Sequence, residues 1–177
     1  MMRPVTDDMG SLLWNADVSA TDYGLAGEKY QNAILEQYKL YVEMADRVSA
    51  RRGLTNTFFL TLNTGVFALI GALAGWKERP AVSPGILLLP LVIAVGQCVA
   101  WWWLVRSYRL LNGAKFKVVG ALEERLPSSV YWRAEWVALG EGKDWRKYLP
   151  LSHLEQWVPI LFALVYVLGF IVAVRGS

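Results

Sequence analysis

The stretch ADRVSARRGLTNTFFLTLNTGVFALIGALAGW, residues 45–76, decides how the chain must be read. It opens with charges, crosses Arg51 and Arg52, and turns apolar without a stop. From Gly53 to Trp76 it holds no Asp, Glu, Lys or Arg. A helix of ~20 such residues crosses the ~30 Å of a bilayer's hydrocarbon. Yet the first apolar half carries Thr55, Asn56, Thr57, Thr61, Asn63 and Thr64. Polar groups taken into hydrocarbon need partners, because each unsatisfied one is costly.

Two further blocks, 80–105 and 156–174, are equally free of charge, and 55% of the 177 residues are hydrophobic. A soluble domain would spread its apolar residues along amphipathic elements; here they are collected into blocks. The reading is an all-α integral membrane protein with three transmembrane helices, at about 57–76, 85–105 and 158–174, and helical cytoplasmic extensions. Trp157 would anchor the third span at the headgroups, and Trp101, Trp102 and Trp103 form an aromatic belt at the end of the second. Residues 1–27 read as a polar, partly disordered tail without a secretory apolar core, so no cleaved signal peptide is expected. The single cysteine, Cys98, lies inside the second span and can form no intrachain disulfide.

Lys and Arg set the expected orientation. Residues 1–56 carry six and 106–156 carry nine, against two in 77–84 and Arg175 alone after the third span. The positive-inside rule therefore places the N-terminus and 106–157 in the cytoplasm, with the C-terminus outside. The net charge of +3 follows from this topology and gives no case for direct nucleic-acid binding.

Residues 28–56 read as a cytoplasmic helix leading into the membrane. Ile34, Tyr38, Tyr41, Ala45 and Val48 recur at coiled-coil-like gaps of four and three. Glu36 with Lys39 and Glu43 with Arg47 make helical charge pairs. Only Gly53 interrupts, at a cost of ~1 kcal/mol. Helical spacing continues from the second span through Tyr108, Leu111, Val119, Leu122 and Leu126 until Pro127, and a short helix follows at 131–139. Ser152 with Glu155 makes a capping box ahead of the third span, which Pro159 would kink.

Projection of 56–75 at about 100° per residue separates two faces. One carries Thr57, Thr61, Thr64, Ala68, Gly71, Ala72 and Gly75, with Asn56 and Asn63 at its edge. The other carries Phe58, Phe59, Leu62, Val66, Leu69, Ile70 and Leu73, which can meet lipid; Leu60 and Phe67 fall on the polar side. Gly71 and Gly75 form a G-x-x-x-G pair that lets helices approach closely. Two readings stay open: the polar face packs against the chain's other spans, or it meets neighbouring subunits and an aqueous path.

No nucleophile–base set, metal-ligand spacing or phosphate-cradling loop is present, so no enzyme, cofactor or metal is expected. His153 reads as a surface or interface residue, and Glu123 and Glu124 as solvent or salt-bridge residues. Lys115 falls on the apolar side of its helix with Asn112 one turn before, a pair either satisfied internally or used at an interface.

Two blocks together, YKLYVEMADRVSARRGLTNTFFLTLNT at 38–64 and SYRLLNGAKFKVVGALEERLP at 107–127, resemble the RipA family of octameric membrane proteins. Some of those small bacterial proteins are similar in plan to pore-forming accessory proteins of antiphage systems. Asp46, Arg47, Arg51, Arg52, Asn56 and Asn63 match the first block, and Tyr108, Asn112, Lys115 and Phe116 the second. The resemblance implies a homo-octameric ring in the lipid bilayer that permeabilises the inner membrane in phage defence. Asn56, Thr57, Thr61, Asn63, Thr64, Gly71 and Gly75 would be its pore or subunit-contact residues, and Phe67 or Leu60 its gate. The alternative is a non-conducting scaffold that recruits a cytoplasmic defence partner. An ion-coupled transporter ranks last, because no titratable residue lies at the midplane.

Overall fold

The computed structural model describes residues 13–14, 17, 19–24, 27–74, 84–139 and 151–175. Among these, every regular element is helical: a 3-10 turn Ala20–Tyr23, α1 (Glu28–Ala74), α2 (Pro84–Glu123), a π-helical turn Val130–Glu135 running into Trp136–Ala138, and α3 (Leu151–Arg175). Each of α1, α2 and α3 contains a stretch long and apolar enough to cross a membrane. At 1.5 Å per residue, the 47 residues of α1 extend about 70 Å, more than twice the thickness of hydrocarbon. Gly53 does not interrupt α1, and α2 and α3 continue through Pro90 and Pro159.

The chain divides into two compact units. One, Arg51–Arg109 with Pro150–Ser177, holds the apolar parts of all three helices. The other, Met1–Ala50 with Leu110–Leu149, holds the first half of α1 and the end of α2.

In this two-helix unit the predicted seam packs within the chain. Ile34 and Ala45 are buried, and Tyr38, Tyr41 and Val48 half-buried, on a helix whose predicted Glu36–Lys39 and Glu43–Arg47 pairs form at 2.7 and 2.6 Å. Both pairs are exposed and contribute little. The centre of the unit is Glu123, expected at the surface but only 1% exposed. Its carboxylate accepts from the Tyr38 hydroxyl at 3.1 Å, Ser129 Oγ at 2.9 Å, and the Tyr131 and Trp132 amides at 2.9 and 3.0 Å. A buried carboxylate is tolerable only with such full pairing. The sequence hid this because three of the four donors lie beyond the end of α2, two of them backbone amides.

The same contacts explain why α2 stops at Glu123 and not at Pro127. The turn that follows, with Arg125 N and Leu126 N bonded to Leu122 O and Glu123 O at 3.1 Å, folds the chain back onto the carboxylate. The predicted helix at 131–139 is present, but its first turn is π-helical. Trp132 lies flat on Gly120, where an added Cβ would sit 2.7 Å from Trp132 Cδ2. Part of the tail is also ordered: the Arg125 guanidinium stands 3.6 Å over the Trp14 ring and donates to Tyr30 Oη at 2.7 Å. Finally, α3 already runs at Leu151, so Ser152 lies inside its first turn and is no N-cap.

Gly120→Val should lower stability by about 1–3 kcal/mol through overpacking against Trp132, read as a fall in thermal midpoint by circular dichroism. A second expectation concerns pH. Burial, then the hydrogen bond to Glu123 and its charge, push the Tyr38 phenol up to about 12. The folded phenol therefore holds its proton more tightly than the unfolded one, which ionises near ~10. The stability so gained is complete below pH ~10 and lost as pH rises toward ~12. The thermal midpoint should fall over that window, less steeply in Tyr38→Phe.

Candidate functional site

The three-helix unit is organised by Asn63. It is fully buried, 0% exposed. Its Nδ2 donates to the Phe59 carbonyl one turn earlier at 2.7 Å. Its Oδ1 accepts from Tyr166 Oη of α3 at 2.8 Å and from Gln97 Nε2 of α2 at 3.1 Å, with the Cys98 thiol at 3.8 Å. One amide oxygen thus ties three membrane-length helices together. Two turns before it, Asn56 Oδ1 accepts from Trp101 Nε1 at 2.9 Å.

Aromatic stacking fills the space around these amides. Phe59 lies parallel to Trp101 with centroids 5.5 Å apart, and Phe67 parallel to Tyr166 at 4.8 Å. Phe59, Trp101 and Val105 form one buried cluster; Ala94, Cys98 and Tyr166 form a second, against which Val66 and Phe67 pack. Nearer the charged end of the unit, Arg52 Nε approaches Glu155 Oε2 at 3.2 Å, and Arg109 Nη1 donates to Gln156 Oε1 at 3.0 Å.

Helix α1 therefore has three faces in this unit. Asn56, Phe59, Asn63, Val66 and Phe67 turn inward; Phe58, Leu62 and Leu69 are exposed and apolar. Thr57, Thr61, Thr64, Ala68 and Gly71 form a third face that is small, partly polar and exposed. At about 100° per residue it lies about 130° from the asparagine face. Thr57 satisfies its own hydroxyl on the Gly53 carbonyl at 3.1 Å, as Thr55 does on Arg51 at 3.0 Å.

This division corrects several sequence expectations. Asn56 and Asn63, read as pore or subunit-contact candidates beside the threonines, instead turn to Trp101, Gln97 and Tyr166 of their own chain. Phe59, expected to meet lipid, is buried against Trp101, and Val66 and Phe67 are half-buried against the Ala94–Cys98–Tyr166 cluster, with Phe67 stacked on Tyr166. Trp101 is 1% exposed and belongs to the core, whereas Trp103 is exposed. A threonine hydroxyl can bond its own helix and so face outward. An asparagine carboxamide has more hydrogen-bonding capacity than its helix can use, so it needs protein or water around it, and Asn63 finds protein.

The motif residues separate in the same way. Arg52 reaches Glu155, Arg47 pairs with Glu43, Asp46 and Arg51 are exposed, and Tyr108 is half-buried. Lys115 is buried with its Nζ 4.7 Å above the Tyr41 ring, Asn112 Oδ1 is buried without a hydrogen-bond partner, and Phe116 is exposed. Gly75 lies outside the described residues, as does the His153 side chain. Sequence reasoning missed Tyr166, Gln97 and Trp101 as donors. The seven-residue spacing of Asn56 and Asn63 around Phe59 was the available signal.

A profile of the octameric membrane protein family (8xMP) matches residues 35–175. No curated protein and no solved structure matches the chain.

Asn63→Leu strips Gln97 and Tyr166 of their shared acceptor. Interhelical hydrogen bonds in membranes average about 0.6 kcal/mol and reach about 1.7. A loss of about 1–2 kcal/mol is therefore expected, measured by detergent-induced unfolding. Thr61→Val should change it by less than about 0.5 kcal/mol.

Proposed function

The chain belongs to the octameric membrane protein family, and from that premise we propose that its copies form a channel-like pore lined by the Thr57, Thr61 and Thr64 face of α1. One observation carries this reading. That face is exposed along a helix of membrane-spanning length, while the asparagines of the same helix are satisfied within the protomer. Hydroxyls bonded to their own helix can face water or lipid, and small residues let neighbouring helices approach. In a ring, Ala68 and Gly71 suit close contact between copies, and the threonines suit a hydrated opening.

With Phe67 packed inward, Leu60, exposed beside the threonine face, is the hydrophobic constriction of this proposal. The bias of Lys and Arg supports an inner-membrane orientation with the N-terminus cytoplasmic. The pore is non-enzymatic and acts by passing ions or small solutes. The 38–64 and 107–127 blocks resemble the RipA family, some of whose members are similar in plan to pore-forming accessory proteins of antiphage systems, and this suggests permeabilisation of the membrane as its role in phage defence.

The test is efflux from potassium- or dye-loaded proteoliposomes holding the octamer. The wild type should leak. Thr61→Leu should reduce efflux at least ~5-fold, by making the lining apolar, with the mass of the complex unchanged. Tight vesicles under every applied trigger, from protein shown to be octameric, would overturn the pore and favour the scaffold reading.

A further inference from the structure

Two edges of the two-helix unit remain open, and they are unlike. At about 100° per residue, Leu40 and Met44 lie to one side of α1's buried Ile34–Ala45 stripe and Asp46 to the other. Leu40 and Met44 are 59% and 46% exposed. On α2, Leu111 is likewise exposed, one turn before Lys115. The Lys115 side chain is buried against Tyr41, yet among the described residues it makes no ion pair. A ring face only partly compensates an ammonium withdrawn from water. This edge is therefore apolar with a cation in search of a carboxylate.

The other edge supplies the complement. It is a shallow cleft of about 60 Å³ whose lining includes Val42, Asp46, Ser49, Phe116 and Tyr131. Phe116 and Tyr131 meet edge-on with centroids 6.5 Å apart, and both are exposed. The Asp46 carboxylate is exposed and, among the described residues, makes no ion pair.

We propose that the occupant of this cleft is a second copy of the chain: the Leu40–Met44 edge of one protomer seats on the Phe116–Tyr131 cleft of the next, with Lys115 of the first facing Asp46 of the second. Flexible Met44 suits an aromatic-walled hollow. The contact is heterologous, and repetition of one such contact by a fixed rotation closes a ring. The inference rests on the octameric family membership and not on conduction, so a tight octamer leaves it standing.

The experiment is the native mass of the detergent-solubilised full chain. D46K and K115D should each lose the octamer. Co-expressed, they should regain it, because the two chains can alternate around an even ring with opposite charges at every contact. A pair within one protomer would show no such rescue. Since K115D disturbs a buried stem, a second measurement avoids that residue: M44C with F116C in a C98A background, oxidised in the membrane. Cross-linked bands from dimer up to octamer are expected on denaturing gels. A D46K complex with wild-type mass, or octamers that yield only monomeric bands on oxidation, would overturn the proposal.

Discussion

A carboxamide buried among three apolar helices constrains everything around it. Asn63 exhausts what its own helix offers when Nδ2 bonds the Phe59 carbonyl, and its oxygen still requires donors. Only other helices can provide them, so Tyr166 and Gln97 converge there. Hydrophobicity cannot select one helix arrangement over another in a bilayer, since lipid tails are as apolar as leucine side chains. Directional bonds to a single atom can. The parallel stacks of Phe59 on Trp101 and Phe67 on Tyr166 then fill the register those bonds dictate.

The two-helix unit uses the same device in a different chemistry. There a carboxylate, Glu123, collects one phenol, one hydroxyl and two amides. It fixes Tyr38 on α1 and turns the chain after α2 back on itself. Gly120 makes room for Trp132, so the bond network and the close approach specify the same turn. Each unit thus has one buried polar acceptor on which several elements depend. Neither unit needs another copy to complete that centre. What is left for other copies is the surface that these centres turn outward.

Much of this was legible in the residues. Uncharged blocks of membrane length announced three helices, and the spacing of Ile34, Tyr38, Tyr41 and Ala45 marked the inward stripe of the first. The asparagines were legible as residues in need of partners. Their direction was not, because a projection that scores threonine and asparagine alike places the polar face midway between two real ones. Distinguishing a hydroxyl that its own helix can satisfy from an amide that it cannot resolves the faces. Glu123 was illegible for another reason: Tyr38 apart, its donors are the Ser129 hydroxyl and the Tyr131 and Trp132 amides, and backbone donors leave no pattern of residue types to read. The complementary edges at Lys115 and Asp46 emerge only once α1 and α2 are seen together in the unit.

The division of α1 into an inward asparagine face and an outward threonine face is best tested by a cysteine scan of 56–68 in the native membrane. Each position, in a background lacking Cys98, is challenged with a small water-soluble thiol reagent. Positions 57, 61 and 64 should react, while 56, 59 and 63 stay protected. Equal or faster labelling at 63 than at 61 would contradict this division.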